Sequence, residues 1–168
     1  MGRLLRILKH RWQDETDTAR ALDAEALARL EARVAVSERK HTGEIRLCVE
    51  AGLPLSYLWR RATPRQRAVA MFGKLRVWDT EHNNGVLIYL LLAERAIEIV
   101  ADRGIARHVP QATWDQLLAG MRADFHDGRF DQGLTRAVDA VDTLLCQHFA
   151  VGAEALNPNE LPDRADMR

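Results

Sequence analysis

The chain has 168 residues, with 24 basic and 24 acidic side chains, two cysteines and a formal net charge of zero. This length predicts one domain that can bury a core without disulfides or a structural metal. The balanced charge excludes a globally basic nucleic-acid-binding protein, so we expect no nucleic-acid partner.

The first segment, residues 1–19, is predicted to be a basic amphipathic helix followed by a linker. Its helical pattern covers residues 3–12, which hold four basic residues and no acidic one. One face of this helix carries the large apolar side chains Leu4, Leu5, Leu8 and Trp12. Such a helix could lie on an anionic membrane surface, or it could dock against the domain, another subunit or a protein partner.

The sequence shows neither a transmembrane segment nor a signal peptide. The longest apolar run, residues 85–93, is far shorter than the roughly 20 residues that a membrane helix needs. The basic N-terminal residues alternate with apolar ones, and no small-residue cleavage site follows. We therefore expect a cytoplasmic protein that could associate peripherally with a membrane through residues 1–12. The sequence leaves the oligomeric state open.

A helix and a strand follow the N-terminal segment. Asp23 is the predicted N-cap of a helix that runs to about Lys40, and Gly43 suits a left-handed C-cap. Residues 44–50 alternate polar and apolar side chains, which predicts a strand. One face of this strand carries Ile45, Leu47 and Val49.

The next segment is strongly basic. Residues 57–76 have a helical pattern, and Pro64 suits the first turn of a helix. Six cations occur here without an intervening acid: Arg60, Arg61, Arg65, Arg67, Lys74 and Arg76. They form either a surface for an anionic partner or a solvated helix face.

The second half of the chain begins with a predicted hairpin. Residues 85–92 form a continuous apolar run typical of a strand covered on both faces, and residues 96–100 form a second strand. Two helices follow, from Trp114 with Thr113 as N-cap, and from about Asp131 to Phe149. Residues 151–168 lack periodicity, which predicts a flexible tail.

The order of these elements predicts the fold class. Two helices, a strand, a helix, two strands and two helices favour a three-layer α/β/α sandwich. The hairpin makes the small central sheet mixed rather than purely parallel. We place this α/β/α domain at residues 20–150, with the N-terminal amphipathic helix as an addition.

Three stretches resemble the core of the TPM domain family: Asp79-Thr-Glu-His-Asn-Asn-Gly-Val-Leu-Ile-Tyr89, Ile97-Glu-Ile-Val-Ala-Asp-Arg-Gly-Ile105 and Phe125-His-Asp-Gly-Arg-Phe-Asp-Gln-Gly133. The resemblance covers about residues 20–150. It implies a small α/β/α sandwich around a mixed sheet. Some members of this family are linked to photosystem repair and to acid phosphatase activity, and some bind calcium or other divalent ions.

The sequence contains none of the common hydrolase signatures. It has no Gly-x-Ser-x-Gly elbow, no Cys-based phosphatase motif and no Asp-x-Asp pair. A P-loop, a His-Glu-x-x-His motif and paired Cys-x-x-Cys motifs are missing as well. A phosphatase built on this chain would therefore use a different constellation.

An acidic loop is the candidate site that remains. Asp79, Glu81 and Asp102 are predicted to meet at one sheet edge, where their oxygens would suit calcium or magnesium. Further candidates lie beside them: His82, Asn83, Asn84 and Arg103. The alternative is structural: Asn and Asp are common in turns, Asp102 could cap the next helix, and His82 could be a solvated loop residue.

Two classes of function are consistent with these observations. The first is a non-catalytic interaction or maintenance module, favoured by the cationic segments and the missing signatures, with a divalent cation as a possible ligand of the acidic loop. The alternative is a metal-dependent phosphatase-type hydrolase that uses Asp79, Glu81 and Asp102. The sequence leaves open whether the protein is an enzyme, and we give preference to the interaction module.

Overall fold

The computed structural model describes residues 3–12, 15–151 and 159–168. Within these ranges the α-helices are α1 (Arg3–Arg11), α2 (Glu15–Ala21), α3 (Ala24–Glu38), α4 (Leu55–Trp59), α5 (Pro64–Lys74), α6 (Arg103–Ala106), α7 (Gln111–His126) and α8 (Phe130–Phe149). The strands are β1 (Ile45–Glu50), β2 (Val86–Leu91), β3 (Ala96–Ala101) and β4 (Asp166–Met167). A 3-10 turn, Leu92–Glu94, joins β2 to β3.

The strands form one mixed sheet in the order β3-β2-β1-β4. Strand β1 runs parallel to β2, and α4 and α5 make the crossover that parallel strands require. Strands β2 and β3 form the predicted antiparallel hairpin, with Ile88 opposite Ile99. Helices cover both faces of the sheet, which confirms the three-layer α/β/α prediction.

Each face of the sheet has its own apolar core. Ile45, Leu47 and Val49 of β1 share the predicted face and pack with α3, α7 and α8. Cys48 points to the opposite face, where it joins residues of α4 and α5 such as Leu58 and Met71. Because successive strand side chains alternate between faces, two buried cores leave β1 and β2 with no exposed residue.

Local signals place several helix ends where the sequence predicts them. The Asp23 side chain accepts a hydrogen bond from the Ala26 N–H at 2.7 Å, which confirms the predicted N-cap. Thr63 is the N-cap directly before Pro64, and it forms a capping box with Gln66.

Other helix ends differ from the prediction. Helix α7 begins at Gln111, directly after Pro110, and not at the predicted cap Thr113. Helix α3 ends at Glu38 with Arg39 as its right-handed C-cap, so Gly43 does not cap it. Gly43 instead lies against α8, where an added Cβ would be 2.4 Å from a Leu145 methyl carbon. Here Gly43 meets a packing requirement.

The C-terminal segment differs from the predicted flexible tail. Residues 152–158 lie outside the described residues, but 159–168 return to the sheet as β4, which pairs with β1. Leu161 is buried, and its N–H donates to the Glu44 carboxylate at 3.2 Å. Strand β4 has only two residues, which is too short to produce a periodic pattern in the sequence.

Candidate functional site

The acidic loop enters β2 beside the end of β3, as the hairpin predicts. The Asp102 N–H donates to the Gly85 carbonyl at 2.9 Å, and the Gly104 N–H donates to the Asn83 carbonyl at 2.7 Å. Asn83 adopts a left-handed conformation with φ of 52°, which asparagine tolerates better than most residues. These contacts hold the loop against the start of α6.

Two glycines permit this close approach of backbones. A Cβ on Gly85 would be 2.0 Å from the Val77 carbonyl oxygen, and one on Gly104 would be 2.3 Å from the His82 carbonyl oxygen. Neither distance is compatible with a side chain, so only glycine fits at these two points. Close packing therefore explains these two glycines of the family-like motifs.

The three predicted carboxylate ligands have separate roles. Asp79 is exposed and forms an ion pair with Arg76. Glu81 is also exposed, whereas Asp102 is buried and caps α6 by accepting from the Arg103 N–H at 2.7 Å. Within the described residues, these three do not form a group whose ligand atoms all lie within 4.8 Å of one another. The structure confirms the capping alternative for Asp102.

Two buried oxygens of this region nevertheless lack a partner. Asn84 is fully buried, and its side-chain amide donates to the Thr42 hydroxyl at 3.1 Å. Its Oδ1 atom and the Oδ2 atom of Asp102 have no hydrogen-bond partner among the described residues. Buried acceptors of this kind are costly unless a proton, a water molecule or a cation satisfies them.

The other two candidates of the loop face solvent. His82 is exposed and lines a shallow cleft of about 470 Å³, together with residues such as Thr42 and Arg107. Arg103 is exposed at the first position of α6. The structure buries neither side chain.

The basic segment contains one residue that belongs to the core. Arg67 is buried and donates to Glu50 through both Nε, at 2.8 Å, and a terminal guanidinium nitrogen. The Tyr89 hydroxyl donates to the same carboxylate at 2.6 Å. The hydrogen bond to Glu50 raises the pKa of Arg67, and burial raises the pKa of Tyr89. The prediction that Arg67 is part of a basic surface is therefore wrong, because an internal acid on β1 holds it.

The remaining cations of the segment are divided among different contacts. Arg65 donates to the Ile99 carbonyl, and Arg76 pairs with Asp79. The Arg60 guanidinium lies 5.0 Å from the centre of the Tyr57 ring, while Arg61 and Lys74 are exposed. The six residues thus do not act as a single free cationic face.

Helix α1 is anchored to the domain by one of its faces. Arg6 donates to Glu94 at 2.7 Å and to the Ala62 carbonyl at 2.7 Å. His10 is buried, and its Nδ1 accepts from the Leu53 N–H at 3.0 Å, so its Nε2 carries the proton and donates to Glu94 at 2.9 Å. The hydrogen bond from His10 lowers the pKa of Glu94, which keeps this anchor charged.

The opposite face of α1 is apolar and open. The exposed fractions are 61% for Leu5, 52% for Leu8 and 84% for Trp12. Helical geometry places Leu5 and Leu8 on one face of α1, turned away from Arg6 and His10. Trp12 continues this stripe directly after the helix, and its N–H donates to the Leu8 carbonyl at 3.1 Å. Docking against the domain was one alternative for this helix, and the structure shows that docking uses the other face. The side chain of Leu4 lies outside the described part of the chain.

Comparisons with known proteins identify the family. The family model described as TPM domain matches residues 16–144. The fold is similar to the NMR structure of BA42 protein from the psychrophilic bacterium Bizionia argentinensis, with a TM-score of 0.74 and 26% identity over 86% of this chain and 94% of that one. It is also similar to an N-terminal domain from P. gingivalis, with a TM-score of 0.64 and 18% identity over 78% and 82% of the two chains.

No curated protein matches the chain significantly. Among the helices of the described residues, none is both long and apolar enough to cross a bilayer. The family model spans well over half of the sequence, and all three stretches that resemble the family lie inside it. The chain belongs to the TPM domain family.

Proposed function

We propose that this TPM domain is a non-catalytic interaction module that binds an anionic membrane surface through α1. The observation that carries the proposal is the stripe formed by Leu5, Leu8 and Trp12, each more than half exposed on a helix whose opposite face is anchored. Large apolar side chains exposed together on a surface helix are typical of an interaction site.

The charge around this stripe favours an anionic partner. Lys9 and Arg11 are exposed on α1, and the helix contains no acidic residue. Each cation near an anionic lipid surface contributes about 1 kcal/mol of binding free energy, and each buried Leu or Trp contributes about 2 kcal/mol. A cationic and apolar face of this kind fits the headgroup region of a bilayer that contains acidic lipids.

The anchor of α1 makes the proposed binding less costly. Free amphipathic peptides must fold when they bind, and the ordering of the chain opposes binding. Here Arg6 and His10 hold the helix on Glu94, so the stripe is already presented in its bound conformation.

Helix α4 extends the apolar surface of the molecule next to α1. The two helices are in contact, and Leu55 and Trp59 lie four residues apart on α4 with exposed fractions of 55% and 66%. Arg60 and Arg61 follow directly and are exposed. This second pair of apolar residues with adjacent cations repeats the composition of α1.

Vesicle sedimentation tests the proposal. We expect the wild type to sediment with phosphatidylcholine vesicles that contain phosphatidylserine and to remain in solution with phosphatidylcholine alone. The variant Leu5→Ser/Leu8→Ser/Trp12→Ser should lose at least about tenfold in affinity, because the burial of one such side chain, at about 2 kcal/mol, already exceeds the roughly 1.4 kcal/mol that corresponds to tenfold. Trp78→Ser is the matched control, since Trp78 is exposed but lies outside residues 3–12.

Three results would contradict the proposal. One is a wild type that fails to bind vesicles containing phosphatidylserine. Another is a triple variant that sediments as well as the wild type. Capture of a protein partner through α1 without any vesicle binding would also overturn it, because the partner would then be a protein surface.

We also propose, as a second candidate function, that the acidic loop binds calcium or magnesium. The observation that favours it is the pair of buried oxygens without a partner, Oδ1 of Asn84 and Oδ2 of Asp102. Carboxylate and amide oxygens are the ligands that these hard cations prefer. This version of the site relies on Asp102 and Asn84, and it gives Asp79 and Glu81 no necessary role.

An NMR titration with calcium and magnesium tests this second candidate. Shifts should be confined to residues 79–84 and 102–104, and Asp102→Asn should abolish them, whereas Asp79→Asn should leave them unchanged. Shifts that disappear in Asp79→Asn would instead favour the alternative of a metal-dependent hydrolase, which a phosphate-ester assay of the same variant would reveal. An absence of shifts in the wild type would contradict cation binding at the loop.

A further inference from the structure

A second cluster of ligand-type side chains lies between the end of α3 and helix α8, away from the acidic loop. Asp142 Oδ1 is 3.6 Å from His41 Nε2 and 3.6 Å from Cys146 Sγ. All three ligand atoms lie within 4.8 Å of one another. Asp142 and Cys146 are four residues apart on α8, so helical geometry directs both side chains to the same side.

His41 is oriented as metal-binding histidines are. Its ring is fully buried, and Nδ1 lies 2.9 Å from the Gly43 carbonyl oxygen. A carbonyl can only accept, so Nδ1 carries a proton, and in the neutral imidazole Nε2 is an acceptor that lies 3.6 Å from Asp142 Oδ1. Metal-ligating histidines typically donate their other ring N–H to a backbone carbonyl in this way.

The hydrogen bonds of Ser37 leave a conflict in the cluster. Its hydroxyl oxygen is 2.9 Å from His41 Nε2 and 2.7 Å from Asp142 Oδ1. The hydroxyl has one proton and two acceptors beside it, so with a neutral imidazole one contact joins two lone pairs. Either a proton on Nε2 or a cation bound by Nε2 and Oδ1 would remove this conflict.

We propose that His41, Asp142 and Cys146 form a zinc site, with Nε2, Oδ1 and Sγ as the ligand atoms. Ligand atoms about 2.0 to 2.3 Å from a tetrahedral zinc are about 3.3 to 3.6 Å apart, close to the two distances of 3.6 Å from Asp142 Oδ1. The mixture of nitrogen, sulfur and oxygen donors indicates zinc and disfavours calcium and magnesium. A water molecule would complete the tetrahedron.

Lys40 supports this arrangement from the outer side. Its Nζ donates to Asp142 Oδ2 at 2.9 Å, which fixes the carboxylate and leaves Oδ1 directed at the cluster. Zinc binding displaces the thiol proton of Cys146 to solvent and forms a bond to the thiolate. The bound ion would link the loop after α3 to α8 and stabilise their packing.

Cobalt substitution tests the site. We expect the full-length protein to bind one equivalent of Co²⁺ with a thiolate charge-transfer band and the ligand-field bands of a tetrahedral ion. Cys146→Ala should remove the charge-transfer band. Cys48→Ala is the matched control and should retain it, because Cys48 lies in the other core and is fully buried. Ser37→Ala keeps all three ligands and should also bind.

Thermal unfolding provides a second readout. Zinc at about 100 times its Kd should raise the Tm of the wild type by roughly 5 to 10 °C and leave the Tm of Cys146→Ala unchanged. A wild type without a charge-transfer band at equimolar cobalt would overturn the proposal. A band that persists in Cys146→Ala, or that disappears only in Cys48→Ala, would overturn it as well. The cobalt spectrum and the Tm shift are both independent of membrane binding by α1, so this proposal and the membrane proposal can fail separately.

Discussion

At the scale of single residues, buried carboxylates are the groups that most strongly link the fold to pH. Glu38 is 5% exposed and accepts from the Ile45 N–H at 2.8 Å. Burial, reinforced by the charges of Glu44 and Asp163, raises the pKa of Glu38 to about 9. Burial also raises the pKa of Glu44 to about 7. Both groups therefore hold a proton in the folded protein at pH values where the unfolded chain has released it.

This linkage predicts a protein that loses stability as the pH rises. Above the ordinary pKa of 4.5 the folded state binds more protons than the unfolded state, so the free energy of unfolding falls until the folded pKa is passed. Between its unfolded and folded pKa, each group contributes a slope of up to about 1.4 kcal/mol per pH unit. Urea unfolding of Glu38→Gln should show a shallower decline between pH 5 and 8.5, because glutamine stays neutral. An unchanged slope in this variant would contradict the role of Glu38.

Gly104 provides a prediction about the loop geometry. Gly104→Ala should destabilise the protein by about 2 kcal/mol or more, because the new methyl group would be 2.3 Å from the His82 carbonyl oxygen. The control is Gly120→Ala in the middle of α7, where nothing lies within 4 Å of an added Cβ. There the higher helix propensity of alanine should stabilise by about 0.5 to 1 kcal/mol. Equal effects of both substitutions in urea unfolding would contradict this account.

The positions of some site residues could be predicted from the sequence because these residues belong to local patterns. The hairpin predicts correctly that Gly85 lies opposite Asp102, and the cap position of Asp102 follows from the helix that succeeds it. The buried state of Arg67 depends on its distant partner Glu50. The cluster of His41 with Asp142 joins residues about a hundred positions apart, and no periodic pattern connects them. The one local signal of this cluster is the four-residue spacing of Asp142 and Cys146, which places both on the same side of α8.

At the scale of elements, strands and helices with a clear period were predictable and short segments were not. Strands β1, β2 and β3 coincide with alternating or continuous apolar runs, and α8 coincides with a long helical stripe. Strand β4 escapes prediction because two residues carry no period. Its position depends instead on backbone hydrogen bonds to β1 and on the Glu44 carboxylate, both remote in sequence.

The packing of the C-terminal segment can be tested at Leu161. Leu161 is 7% exposed and joins the core beside α4 and α5. Leu161→Ala should therefore reduce the free energy of unfolding by about 2 to 5 kcal/mol, the range for truncation of a buried leucine. Leu55→Ala is the matched control, since Leu55 is 55% exposed and its truncation should cost less than about 0.5 kcal/mol. A flexible tail would make the two variants equally stable.

At the scale of the whole molecule, the net charge of zero conceals an uneven distribution of charge. Several cations of residues 60–76 are bound by groups of the domain itself, as Arg67 is by Glu50 in the core. The cations of α1, Lys9 and Arg11, remain exposed beside an open apolar stripe. A neutral protein of this kind has no overall attraction to a charged partner, yet it presents one cationic and apolar face. This distribution is the basis of the proposed membrane-binding role.

The insertion of Trp12 into lipid is the measurement that tests this claim most directly. Vesicles of phosphatidylserine and phosphatidylcholine whose acyl chains carry bromine atoms quench a tryptophan that enters the hydrocarbon boundary. We predict strong quenching and a blue-shifted emission for the wild type, with the quenched component missing in Trp12→Phe, which keeps the apolar surface. Quenching that is equal in both proteins, or no quenching in the wild type, would contradict membrane binding through α1.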